Sequence, residues 1–448
     1  MDAPSLDRRA FLAGGARVAA SAGALALTGC STGDPGEAGA PKSPAPIPPG
    51  NLGEWENVRE QFLLDPEIAH FSAFVLASHP AGVRAGIERW REALDADPVR
   101  IVADETKNDE AVRTAAARYL AVPPDEIALT DSTTMGLGLV YNGLRLNPGD
   151  HILTTAHDFY STHESLRLAA ARSGAEVQRI ALYNNPAAAS AEEMVSLLRR
   201  AIRRTTRVVA LTWVHSSTGV KVPVREIADV LQEINADRDP ADRALLCLDA
   251  VHGFAAEDAT PAGLGCDVFI SGTHKWLFGP RGTGIVWARR DVWERFAPII
   301  PTFSGPSIGG WLFGERTPFI FGLDGTPGGY HSFEHRWALT DAFDFHNSIG
   351  KSRVTERTHE LATRLKEGIA ALPNVRLLTP LDEELSSGIV CCTVSGMEPP
   401  GVIDALRRDH GILASITPYR AQYVRFGTSI VTMPEQVDAT VAALDEMP

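Results

Sequence analysis

From about residue 110 to residue 290 the chain alternates amphipathic helical stretches with short apolar, β-branched runs, and this alternation restricts the possible folds more than any other feature. The helical spacing is clearest at 110 to 120 and at 191 to 202. Strands are predicted at Glu126 to Thr130, His151 to Thr155, Glu176 to Leu182, Arg207 to Val214, Leu245 to Leu248, Val268 to Ser271 and Gly284 to Trp287. Such a succession predicts an α/β fold with a mostly parallel sheet covered by helices on both faces. Ligands on that architecture collect at the carboxyl ends of the strands, so the residues just after each run are the ones to read for chemistry.

Beyond residue 335 the order changes: a long helical region, strands near 374 to 379 and 388 to 394, a helix near 400 to 409, a strand near Val424 and a last helix from about 434. We therefore expect a large domain over 51 to 334 and a smaller α+β domain over 335 to 448. The first thirty residues need a separate explanation. Asp7-Arg8-Arg9-Ala10-Phe11-Leu12 precedes an Ala/Gly-rich apolar stretch that closes on Leu27-Thr28-Gly29-Cys30, the pattern of a twin-arginine export signal ending in a lipobox. Processing there would leave Cys30 as a lipidated N-terminus held on a membrane. Residues 31 to 50, rich in Pro, Gly, Ser and Ala, read as a flexible tether. The expected location is thus outside the cytoplasm, periplasmic or on the cell surface.

A formal charge of -14 over 448 residues gives no electrostatic footprint for nucleic acid, and no Lys/Arg-rich run supplies one locally. Cys247, Cys266, Cys391 and Cys392 lie in or beside apolar runs without metal-ligand spacing, so core packing is their expected role and no metal is expected.

The chemistry concentrates at strand ends. Asp267 to Trp276 (DVFISGTHKW) places Lys275 just after a buried run, followed by the turn-rich Gly279 to Gly284. A lysine there faces the ligand crevice, and burial can hold part of it neutral, as a Schiff-base nucleophile requires. Taken alone it would read as a solvated loop lysine. Asp249 ends the run Leu245-Leu246-Cys247-Leu248, with His252 three residues on. A carboxylate so placed can pair with a pyridinium nitrogen and keep the ring an electron sink, which is the use of pyridoxal phosphate (PLP). Alone it would read as a helix cap. Asp131-Ser132-Thr133-Thr134-Met135-Gly136 follows a strand and opens a helix, an arrangement that binds phosphate through backbone N–H groups.

Together these segments resemble the class V branch of fold-type I PLP enzymes, the isopenicillin N epimerase-like and cysteine desulfurase-like families, from roughly residue 60 to the C-terminus. The resemblance implies that Asp249 pairs with the ring nitrogen and that His252 sits near the ring hydroxyl. It further implies that Lys275 carries the cofactor, that His274 lies near the phosphate with Ser271 or Thr273 supplying a hydroxyl, and that Thr133 and Thr134 belong to the phosphate loop. Phe159, in His157-Asp158-Phe159-Tyr160, matches the ring-stacking position. Val214 to Gly219 matches a His-x-Ser loop near ring and substrate. Arg425, in Tyr423 to Gly427, matches the arginine that holds the substrate α-carboxylate, a bidentate task suited to a guanidinium. Ser332 to Trp337 stands where relatives complete the neighbouring subunit's phosphate site, which implies a homodimer. The leader also resembles that of periplasmic, twin-arginine-exported PLP enzymes that modify the glutamate side chain of pyoverdine, so a peptide-like amine is among the expected substrates.

Desulfuration would need a nucleophilic cysteine on the loop before the arginine strand, and Ile412 to Gln422 contains none. Racemisation needs proton donors on both faces of the planar intermediate. Phe159 cannot act as one, leaving only His157 or Tyr160 as substitutes. The residues therefore favour transamination or a related deamination of an α-amino acid or aminoacyl group. Epimerisation and C–S cleavage stand as alternatives, and a lipid-anchored binding protein without turnover is the alternative of another class.

Overall fold

A computed structural model describes residues 51–315 and 317–448; the leader, Cys30 and the tether lie outside the described residues. Seven runs form one sheet: β1 (Ile127–Thr130), β2 (His151–Thr155), β3 (Glu176–Ile180), β4 (Thr206–Thr212), β5 (Leu245–Asp249), β6 (Val268–Gly272) and β7 (Gly284–Ala288). Their spatial order is β1-β7-β6-β5-β4-β2-β3, and β7 runs antiparallel to both of its neighbours while the others are mutually parallel. Every residue of β1, β2, β5, β6 and β7 is buried, which is why these segments read as continuous apolar runs without alternation. The edge strand β3 is partly exposed and correspondingly polar. Two apolar layers sandwich the sheet, one containing Leu129, Leu211, Leu248 and Phe269, the other Ala128, Ala210, Cys247 and Ile270.

A second sheet of four antiparallel strands takes in Val375–Leu377, Ile389–Val394, Ser415–Ile416 and Val424–Gly427. Helix Lys351–Ala370 packs Leu361, Leu365 and Ile369 on it. The preceding helix, Leu339–Ile349, lies instead on the large body. Its His346 Nδ1 is 2.9 Å from the Tyr119 hydroxyl and its Asp341 pairs with Arg89 at 3.3 Å. Gly350, with φ at 97°, makes the joint between the two helices. The segment before helix Ala81–Ala96 joins the smaller sheet's side as well, Ala69–His70 pairing in parallel with Ile412–Leu413.

Polar contacts fasten the two bodies together. Glu257 accepts from Lys221 Nζ (2.9 Å) on the large body and from His359 Nε2 (2.7 Å) and the Ser387 hydroxyl (2.5 Å) on the small one. The turn His215–Gly219 is a second fastening, since the Thr379 hydroxyl donates to the Thr218 carbonyl at 2.7 Å. Behind this turn, the Tyr183 hydroxyl lies 2.9 Å from His215 Nδ1.

Burial holds His215 and His346 neutral, with pKa values lowered to about 3. The unfolded chain binds these protons below pH 6.5 and the folded chain does not, so stability present above that pH is lost as pH falls toward 3. At pH 5 each should cost about 2 kcal/mol. Thermal melting is expected to drop between pH 7 and 5. The drop should be shallower in His346→Asn, which can still meet the Tyr119 hydroxyl; an identical slope would contradict this origin.

Candidate active site

The carboxyl ends of β1, β2, β4, β5 and β6 open into one cleft of ≈ 250 Å³, walled from the small body by Pro418 and Arg425. Six of the residues singled out from the sequence outside the β6–Lys275 segment line it: Thr133, Thr134, Phe159, Asp249, His252 and Arg425. His274 and Lys275 line it too.

Lys275 is partly buried, and its Nζ stands 3.4 Å from His252 Nε2. Burial lowers its pKa, Asp249 opposes that and the Arg425 cation adds to it, so the amine is easier to deprotonate than a surface lysine. The Trp276 indole N–H donates to His252 Nδ1 at 3.4 Å. Burial and the two nearby cations keep His252 neutral, so its Nε2 carries the hydrogen and points it at the Lys275 nitrogen. A neutral amine can accept that hydrogen and an ammonium cannot.

Asp249 accepts from the Val251 N–H (3.2 Å) and the Thr162 hydroxyl (3.5 Å). Burial raises its pKa against the pull of that N–H and of Lys275, with Asp158 pushing the same way as burial. A cation set against this carboxylate would relieve the cost, and a protonated ring nitrogen is such a cation. Asp158 itself is a strand tie, accepting from Thr154 Oγ1, Thr155 N and Thr212 N, each at 2.7 Å.

The phosphate end is built at helix Thr133–Gly143. Its N-cap is Ser132, which accepts from Met135 N at 3.1 Å, so Thr133 and Thr134 occupy the first turn rather than the cap. The N–H groups of a first turn have no intrahelical acceptor and suit an anion. The Thr133 hydroxyl accepts from Gly272 N (2.7 Å), and Thr134 Oγ1 lies 3.0 Å from Ser161 Oγ. Two buried polar atoms at the cleft, His274 Nδ1 and Thr212 Oγ1, have no protein partner among the described residues. A cleft with an anion-binding helix end, orphaned polar atoms, a carboxylate and a lysine fits PLP. Ser271 and Thr273 are corrections to the sequence reading, for neither lines the cleft. The Ser271 hydroxyl donates to the Gly272 carbonyl at 2.8 Å and Thr273 Oγ1 is bound to Thr283 Oγ1, so both hydroxyls are committed to holding the β6–β7 connection.

At the opposite end Arg425 is buried and makes no ion pair with an acidic side chain among the described residues. Its Nη1 donates to the Ser216 carbonyl (3.0 Å) and its Nε to the Ser415 hydroxyl (3.1 Å), and the guanidinium stacks over Phe74 at 4.6 Å. Phe74 in turn lies so close to Gly427 that an added Cβ there would fall 2.0 Å from the ring. A buried cation fixed by neutral groups is a waiting carboxylate site.

The remaining candidates separate. His215 is buried away from the cleft, whereas Ser216 lines it. His157 stacks on Tyr183 (3.9 Å) with its Nε2 accepting from Leu182 N, and Tyr160 is exposed, so neither faces the ring position. His335 binds the Arg281 carbonyl, and Arg336 pairs with Asp109 and Asp131. Burial pushes the Cys391 thiol up to about 12, which leaves it no thiolate character. Thr162, Thr212 and Phe74 have no place in the motif reading, and Ser216 enters it only within the Val214 to Gly219 loop. Thr212 ends a strand and Ser216 follows it, whereas Thr162 lies in the first turn of helix Tyr160–Ser173 and Phe74 in the segment before helix Ala81–Ala96.

Comparison with known proteins agrees with this geometry. The family model for class-V aminotransferases matches residues 98–416. An isopenicillin N epimerase of Streptomyces clavuligerus is 24% identical over 411 residues, covering 88% of this chain and 99% of that protein. A cysteine desulfurase of Cronobacter sakazakii is 27% identical over 293 residues, 62% of this chain and 66% of that one. Among solved structures, a cystine C–S lyase in complex with its product cysteine persulfide superposes with a TM-score of 0.74 at 21% identity, over 85% of this chain and 98% of the other. The expected fold-type I architecture is therefore present, and the chain belongs to the class-V aminotransferase family of PLP-dependent enzymes.

Proposed function

We propose that the protein is an exported PLP enzyme that acts on an α-amino carboxylate, either a free amino acid or the aminoacyl part of a peptide-like compound, by transamination or a related deamination. The observation that carries this reading is the meeting of Lys275, Asp249 and an Arg425 without an acidic partner among the described residues in one cleft. Bound PLP supplies an aldehyde carbon for the amine and a ring that accepts electrons. With PLP held there, Arg425 would hold the carboxylate, Asp249 would stand against the ring nitrogen as its counter-ion, and Lys275 would be the base that takes the α-proton. Export is supported by the Arg8-Arg9 leader and lipobox Cys30. A homodimer is supported by exposed Val75 and Leu76 beside the cleft and by exposed Phe303, Trp311 and Tyr330.

The test is the visible spectrum of the purified protein followed through a panel of amino acids. We expect a coloured protein converted to the pyridoxamine form by at least one of them. A colourless protein would defeat the reading, and colour that no amine alters would mark an amine-sequestering protein instead. For the anchor, Cys30→Ser should move the protein from membranes to the soluble fraction, and unchanged fractionation would count against lipidation.

A further inference from the structure

A second cavity of ≈ 460 Å³ is lined from helix Glu105–Leu120 and from the chain between Thr302 and Tyr330, and it shares no lining residue with the Lys275 cleft. The chain side brings three exposed aromatic residues, Phe303, Trp311 and Tyr330. The helix side brings Glu105, Asp109 and Arg113, which stand four residues apart and so share one face.

Asp109 is satisfied, accepting from Arg336 Nη1 (3.3 Å) and Trp337 Nε1 (3.1 Å). Glu105 makes no hydrogen bond or ion pair among the described residues, and burial and the nearby Asp109 raise its pKa to about 7 against the pull of Arg336. Arg113 is only 3% exposed, yet its Nε alone is engaged, donating to Glu110 at 3.3 Å. Its two Nη nitrogens donate to nothing among the described residues, so four N–H groups of an enclosed cation lack an acceptor. On the chain side, the Thr302, Ser304 and Thr326 hydroxyls already donate to the Leu323 carbonyl, the Asp324 carboxylate and the Gly322 carbonyl. Of the charged side chains that line the cavity, Glu105 and Arg113 are the two left with unused capacity.

We propose that this cavity is a second ligand site for a zwitterion with an aromatic or aliphatic body, an amino acid or a short peptide, whose ammonium meets Glu105 and whose carboxylate meets Arg113. The apolar body lies against Phe303, Trp311 and Tyr330 and covers surface that water otherwise wets. Charge selects this class of guest. A plain anion would be repelled by ionised Glu105, and a plain cation would leave the Arg113 N–H groups without an acceptor. Arg336 also stands 3.7 Å from Asp131, the residue before the Ser132 cap, so the guest is held one ion pair away from the phosphate end of the cleft. The site does not depend on the cofactor reading. The homodimer inferred above draws on the same three aromatic residues, which makes side chains of a second copy the competing occupant.

The test uses the protein as purified and two probes whose tertiary amine cannot condense with an aldehyde, N,N-dimethylphenylalanine and N,N-dimethylglycylphenylalanine. Binding is read by calorimetry and the cleft by its visible spectrum. At least one probe should bind once per chain and leave the spectrum unmoved. Glu105→Gln and Arg113→Leu should each weaken it about 10-fold or more, while Arg425→Gln should not change it. Should Arg113→Leu fail to fold, Glu105→Gln and Trp311→Ala, at partly and fully exposed positions, still decide the matter, each with weaker binding expected. Phenylpropanoate, which lacks the amine, should bind about 10-fold more weakly than the zwitterion. Three results would overturn the proposal: neither probe binds, as when a second copy fills the cavity; Arg425→Gln abolishes binding that Glu105→Gln leaves intact, which puts the probe in the cleft; or phenylpropanoate binds as tightly as the zwitterion. A colourless protein that binds the probe would uphold this site while defeating the PLP reading.

Discussion

Lys275→Ala is expected to fold, to lose covalently held PLP, and to retain at most about one part in 10⁴ of wild-type turnover. No other lysine among the described residues lines the cleft. Lys221 is committed to Glu257, and Lys366 to the Leu381 carbonyl and the Ser386 hydroxyl, so neither can stand in. Removing an amine whose charged form is disfavoured by burial should change the melting temperature little. The check is threefold: absence of the visible band, no cofactor fixed to the chain after borohydride reduction, and a melting curve near wild type. A variant that still fixes cofactor would place the attachment on another residue.

Asp249→Asn should separate charge from shape. The amide keeps an oxygen for the Val251 N–H and nearly the same volume, yet it cannot hold a proton on a ring nitrogen. Cofactor should still attach through Lys275, while turnover falls by roughly 10²- to 10³-fold, as on removal of a buried group aimed at developing charge. Single-turnover rates with a responsive amino acid give the answer. A loss under about threefold, within ordinary mutational scatter, would mean the carboxylate serves the strand end and not the ring.

The large sheet was legible because five of its strands are buried on both faces, which leaves short uninterrupted apolar runs. Asp249, His252 and Lys275 were legible for a related reason: a polar residue ending such a run is carried to the cleft by the strand itself. Ser271 and Thr273 failed because spacing along the chain does not say which way a hydroxyl turns, and both turn toward backbone or Thr283 within the β6–β7 connection. Ser216 and Tyr419 were invisible as a pair, being joined by one hydrogen bond across the two bodies. The helix Leu339–Ile349 reads as the start of a second domain because its pattern runs on into helix Lys351–Ala370 with only Gly350 between them. It lies on the large body through contacts to Tyr119 and Arg89 that no local pattern announces.

The cleft collects Phe74 from before the large sheet and Arg425 from the last strand, with the guanidinium stacked on the ring. Contacts spanning nearly the whole chain close late in folding, since the loop entropy they cost must be met by structure already formed. The substrate end of the cleft therefore cannot exist on a partly folded chain, whereas the Asp249 and Lys275 end, built within consecutive strands, can form earlier. Cofactor capture and carboxylate recognition then become markers of two different stages of maturation. A chain carrying the first without the second would be coloured and inert.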